Sequence, residues 1–174
     1  MNIYAIITGT VIIILFSWFF SLKHGRYHGI PRFFSFESIF LLVLLCLKVW
    51  FQNPFSWYQI ISWIFLIISA YAGLAGYFTL KVKGKPTGNF ENTTILVKSG
   101  IYSLIRHPLY LSLFCLGTGV VMKNPGVPEI ILGAINAIAV YFTARIEEKE
   151  MIGKFGEPYR EYVRETKMFL PYIL

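Results

Sequence analysis

Gly100-Ile101-Tyr102-Ser103-Leu104-Ile105-Arg106-His107-Pro108-Leu109-Tyr110 is the stretch whose setting decides the fold. It carries an Arg, a His and a Pro, and long apolar runs lie on either side of it. Of 174 residues, 56% are hydrophobic, 18% aromatic and only 14% charged, and mean hydropathy is +0.60. Few charges spread over several apolar runs exclude an ordinary soluble domain and define an integral membrane protein. The formal net charge of +7 resides in basic residues beside those runs. That placement fits anionic lipid headgroups and sets nucleic acid aside as a partner.

Upstream of the polar stretch lie three apolar runs, Asn2 to Leu22, Phe36 to Phe51 and Trp57 to Leu80. The first has no basic residue before it and no small-residue cleavage site after it, so it reads as a membrane helix rather than a signal peptide. Glu37 and Lys48, near the ends of the second, can snorkel to the headgroups. In the third, Ser69, Ala70, Ala72, Gly73, Ala75 and Gly76 allow close helix packing in lipid. Downstream, Leu109 to Met122 and Ile130 to Ala144 are about 15 residues each, or roughly 22 Å as helix. The hairpin Lys123-Asn124-Pro125-Gly126 joins them. Cys46 and Cys115 sit inside apolar runs without metal-ligand spacing and read as buried free thiols; no metal site is expected.

Five runs predict an all-α integral membrane protein with five transmembrane helices. The segments 23–32, 81–106 and 145 onward hold fourteen of the sixteen Lys and Arg, leaving only Lys48 and Lys123 on the other side. The positive-inside rule then places the N-terminus outside and the C-terminus in the cytoplasm. His24 and His28 fall in the first basic loop and read as interfacial. Asn53-Pro54 and Lys83 to Asn89 read as turns, and Thr93 to Val97 as a short β-prone piece. Pro108 suits the first turn of the fourth helix. After Gly156, Pro158 opens a helix on which Tyr159, Tyr162 and Val163 share one face, an amphipathic segment lying on the membrane or over a site.

Because the last two apolar runs form a short hairpin, Arg106-His107 and Arg145-Ile146-Glu147-Glu148 end at the same membrane level. Arg145 and Glu148 share a helical face; Glu147 is expected to point elsewhere. An Arg and a carboxylate at that depth usually face a cavity or a protein interior.

The ordered series Leu96-Val97-x-x-Gly100-x-Tyr102, Arg106-His107-Pro108-x-Tyr110, Arg145-x-Glu147-Glu148, Phe155-Gly156-x-x-Tyr159-x-x-Tyr162 and Pro171 resembles one group of membrane enzymes. That group is the isoprenylcysteine carboxyl methyltransferase and phospholipid methyltransferase family, and the likeness covers about the last 80 residues. It implies S-adenosylmethionine as cofactor, held by the last two helices, the preceding loop and the C-terminal amphipathic segment. Carried over, Thr94, Ile95, Leu96, Val97, Tyr102, His107, Pro108, Leu109, Tyr110 and Glu148 bind the cofactor. Arg145 and Glu148 are the catalytic residues, Arg145 orienting the acceptor. Lys149 departs from a longer acidic run, which leaves both Glu147 and Glu148 as candidates, and the face shared with Arg145 favours Glu148.

The chain then reads as a single membrane domain, 1–174. Its first 80 residues form a three-helix scaffold and residues 81–174 form the donor-binding core. The expected reaction is carboxyl methylation of a prenylated cysteine or similar lipid-like acid, with the active site facing the cytoplasm. Membrane lipids are the expected surroundings. N-methylation of a phospholipid and S-methylation of a thiol are rivals within the class. A non-catalytic scaffold or transporter is the rival outside it.

Overall fold

A computed structural model describes residues 3–87 and 92–171. Asn2, which opens the first run, and Gly88 and Asn89 of the expected turn lie outside the described residues. The helices are α1 (Ile3–Phe20), α2 (Gly29–Cys46), α3 (Trp57–Lys83), α4 (Pro108–Val121), α5 (Val127–Phe155) and α6 (Glu157–Glu165). Four of them, α1, α2, α3 and α5, are long and apolar enough to cross a membrane, and α4 is a shorter apolar helix of 14 residues. The protein is therefore an all-α bundle of the multi-span membrane type, with no sheet among the described residues.

Proline and glycine set the helix ends. Prolines occupy the first turns of α4, α5 and α6, where a missing amide costs no hydrogen bond. Gly156, at φ 65° and ψ −137°, makes the corner between α5 and α6 in backbone space that a side chain would strain.

Small residues let the helices meet. The α3–α4 interface is the most extensive. There a Cβ placed on Gly76 would lie 3.2 Å from Pro108 Cγ and from Leu109 Cδ2. At the α2–α4–α5 junction, Ser35 Oγ donates to Asn136 Oδ1 at 2.7 Å, and Asn136 Nδ2 donates to the Leu113 carbonyl at 3.1 Å. Such pairs hold helices together where lipid supplies no hydrophobic drive. At one end of the bundle the buried Lys123 ammonium sits 3.6 Å from the Trp63 ring centroid and donates to Gln59 Oε1. Cys46 and Cys115 are both buried and free.

Three expectations change. First, α2 begins at Gly29, ahead of the expected Phe36, so Pro31 and Arg32 belong to a helix rather than to a loop. A proline in the first helical turn is tolerated, so Pro31 marks a start as readily as a turn. Second, Glu37 does not snorkel: its Oε1 accepts a 2.7 Å hydrogen bond from Thr10 Oγ1 on α1. Third, Thr93 to Val97 form no strand beyond the isolated Pro86–Thr93 bridge. The continuation of the helical pattern from Arg145 to Phe155, with its break at Gly156, is found as expected: α5 is one helix of 29 residues, roughly 43 Å long, that carries its charged half beyond the apolar run.

Candidate active site

The charged half of α5 is partnered by the polar stretch before α4. Gly100, at φ 65°, turns the chain, and the 3₁₀ turn Gly100–Ser103 buries Tyr102. Arg106 and His107 follow, and the backbone there runs beside the C-terminal segment. Arg106 N donates to the Lys167 carbonyl at 2.9 Å, and His107 N donates to the Met168 carbonyl at 3.1 Å.

Arg106 is the hub. Its Nε donates to Glu148 Oε1 at 2.8 Å, and its Nη1 donates to the carbonyls of Val163 and Thr166. Both side chains of the Arg106–Glu148 pair are less than a tenth exposed. A buried pair of this kind needs such extra partners to offset its desolvation. From α6, Tyr162 Oη donates to the Tyr102 carbonyl at 2.6 Å, which ties the C-terminal helix over the 3₁₀ turn.

These elements line a cavity of about 230 Å³. Leu96, Val97, Tyr102, His107, Leu109 and Tyr110 line it, all of them expected site residues. So do Arg106, Glu147, Met151 and Phe155, together with Tyr159 and Tyr162 of α6. Phe16 on α1, Arg32 and Phe36 on α2 and Leu80 of α3 line it as well. The His107 ring stacks on Tyr110 with centroids 5.4 Å apart. His107 Nδ1 lies 3.5 Å from Glu147 Oε2, and its Nε2 lies 3.5 Å from Glu148 Oε1. Burial opposes a charge on the His107 ring, but the two carboxylates outweigh it and raise its pKa above the usual histidine value. Burial also pushes the Tyr159 and Tyr162 phenols above their ordinary range.

Several expected residues stand elsewhere. Thr94 and Ile95 are exposed and off the wall, and their neighbour Thr93 lines it instead. Lys154 Nζ donates to the Thr93 carbonyl at 2.6 Å and fixes that loop against α5. Pro108 is buried against α3 rather than facing the cavity. Glu147, expected to point elsewhere, lines the cavity, while Glu148 turns onto Arg106. Arg145 lies 3.5 Å from Glu148 Oε2, as its i, i+3 spacing requires, but it is half exposed and off the wall.

Sequence reasoning missed the α1–α2 wall. His28, read as interfacial, is buried, and its Nδ1 meets Glu150 Oε2 at 2.6 Å. That pair draws the start of α2 against α5. The signal available in the sequence was Pro31, which permits a helix to start ahead of Arg32.

Residues 57–158 match the phospholipid methyltransferase family model, more than half of the chain. The chain belongs to that family. It is 42% identical over 82 residues to the protein-S-isoprenylcysteine O-methyltransferase of Xenopus laevis, covering 45% of this chain and 27% of the relative. The human protein of the same name is 40% identical over 89 residues, covering 48% and 30%. The methanethiol S-methyltransferase of Crocosphaera subtropica is 26% identical over 119 residues, covering 65% and 44%. The chain thus spans under a third of the isoprenylcysteine relatives named and under half of the methanethiol one. No solved structure matches the chain.

Proposed function

We propose that the protein is an S-adenosylmethionine-dependent methyltransferase whose acceptor is embedded in the membrane, a prenylated cysteine carboxylate or a similar lipid-like acid. One observation carries the reading. The family motif residues Leu96, Val97, Tyr102, His107 and Tyr110 converge with Glu147 on one cavity, which Tyr159 and Tyr162 of α6 also line. In this reading α4 also crosses the membrane, which brings the spans to five; the basic segments and the cavity face the cytoplasm, and the N-terminus lies outside.

The residues present fit the donor. A sulfonium and an α-amino group favour carboxylate and aromatic neighbours, and the wall offers Glu147 with Tyr102, Tyr110 and Tyr159. His107 Nε2 is buried and makes no hydrogen bond, with Glu148 Oε1 3.5 Å away. Glu147, His107, Tyr102 and Tyr110 would hold the donor, with Leu96, Val97 and Leu109 against its apolar parts. When bound, it supplies an electrophilic methyl group that joins the acceptor's lone pair while the S–CH₃ electron pair stays on sulfur.

The chain's own contribution is alignment and exclusion of water. Positioning of this kind can supply roughly 7–11 kcal/mol. Glu148 holds Arg106 and thereby the C-terminal cover, and Arg145 stands beside Glu148 on the acceptor's approach. A carboxylate acceptor is already ionised and needs no base.

The test is incubation of purified protein with methyl-labelled donor and three acceptors: N-acetyl-S-farnesylcysteine, phosphatidylethanolamine and an alkanethiol. Label is expected in a base-labile methyl ester of the farnesylcysteine. Label confined to the lipid amine or the thiol would move the protein to a rival acceptor class, and no label in any of the three would sink the enzyme reading.

A further inference from the structure

The family match begins at Trp57, yet three residues of the cavity wall, Phe16, Arg32 and Phe36, precede it. We propose that Arg32 binds the anionic group of the methyl acceptor, so that α1 and α2 set which acceptor the enzyme takes. The proposal rests on the methyltransferase reading above.

Arg32 is 2% exposed and faces the same cavity as Glu147. Its Nη2 donates to Ser21 Oγ, and its guanidinium carbon lies 6.0 Å from the Phe16 ring centroid and 5.8 Å from that of Phe36. Buried cations at membrane level are costly and characteristically face a cavity or a substrate path. The two rings make an apolar bed beside the charge. That combination suits a lipid-like chain ending in an acid, and a guanidinium holds a carboxylate through a planar fork.

The other arginines have different positions. Arg106 spends its donors on Glu148 and on the Val163 and Thr166 carbonyls. Arg145 is off the cavity wall. A carboxylate from α5 and a guanidinium from α2 thus stand on walls of one cavity. That arrangement suits a cationic donor and an anionic acceptor drawn together. The α1–α2 half becomes part of the active site and not merely its support.

Calorimetry on the full chain in detergent tests this without turnover. With S-adenosylhomocysteine present, N-acetyl-S-farnesylcysteine and its carboxamide are titrated into wild type, Arg32→Gln, Arg32→Lys and Ser21→Ala. Arg32→Gln is expected to weaken the acid about tenfold or more, the cost of one charge-assisted pair, with the amide within about twofold. Arg32→Lys should fall between, and Ser21→Ala, which removes the tether but keeps the cation, should still prefer the acid. Equal weakening of acid and amide, or loss of S-adenosylhomocysteine binding along with the acid, would make Arg32 a structural tie and overturn the proposal. If Arg32→Gln does not fold, Arg32→Lys decides by the same comparison. Failure of S-adenosylhomocysteine to bind wild type would remove the methyltransferase reading itself, and this proposal with it.

Discussion

Arg106 Nε donates to Glu148 Oε1 at 2.8 Å, joining the loop before α4 to a helix 42 residues further on. The same guanidinium reaches the carbonyls of Val163 and Thr166, so one side chain holds α5, α6 and the C-terminal segment around the cavity. Arg106→Ala would leave the Glu148 carboxylate buried without this partner. Breaking a buried pair costs about 3–5 kcal/mol. Thermal unfolding in detergent should show a clear drop in midpoint, and limited proteolysis should cut the C-terminal segment first. A variant that melts like wild type would mean that Arg106 holds nothing together.

Tyr162→Phe removes one buried hydroxyl, the donor to the Tyr102 carbonyl at 2.6 Å. The loss should be about 0.5–1.5 kcal/mol of stability. Because Tyr102 lines the cavity, affinity for S-adenosylhomocysteine should also fall several-fold. Calorimetry and melting on the same preparation check both. Unchanged affinity would separate α6 from the site.

His107 gives a pH dependence. Glu147 and Glu148 raise its folded pKa above the usual histidine value, against the opposing effect of burial. A raised folded pKa stabilises the protein below the unfolded value, and that contribution is lost as pH rises through the folded one. The melting midpoint should therefore fall from mildly acid to mildly alkaline pH, and His107→Gln should flatten the slope. The same slope in both proteins would assign it to another group.

Two glycines should respond oppositely to alanine. A Cβ on Gly117 would lie 2.2 Å from Asn136 Nδ2, at the junction where Ser35 and Leu113 meet Asn136. Overpacking of this kind costs about 1–3 kcal/mol. Gly153, inside α5, has nothing within 4 Å of its added Cβ. Gly153→Ala should stabilise by about 0.5–1 kcal/mol through helix propensity. Melting of the two variants side by side checks the packing, and a stabilising Gly117→Ala would contradict it.

What was legible in the sequence follows from which signals are local. Apolar runs mark helices directly, and Pro108, Pro128 and Pro158 mark the starts of α4, α5 and α6, so each helix among the described residues can be detected from composition and punctuation, although the start of α2 cannot. The meeting of the Arg106–His107 stretch with α5 was also legible, because both clusters end apolar runs. Side-chain direction was not. Spacing puts Glu148 on the face of Arg145, but the choice between Glu147 and Glu148 depends on where Arg106 and His107 stand, and only the packed bundle fixes that. Arg32 was hidden for another reason. Pro31 reads equally as loop or as helix start, and the buried His28–Glu150 pair that settles α2 against α5 spans 122 residues.

The central claim is that the cavity bounded by Glu147, His107 and Tyr110 binds the methyl donor. Calorimetric titration of S-adenosylmethionine into wild type, Glu147→Gln and Arg145→Ala tests it most directly. The account predicts binding to wild type, marked weakening in Glu147→Gln and near-wild-type affinity in Arg145→Ala, whose side chain lies off the wall. No binding to wild type, or a loss in Arg145→Ala matched by none in Glu147→Gln, would contradict it.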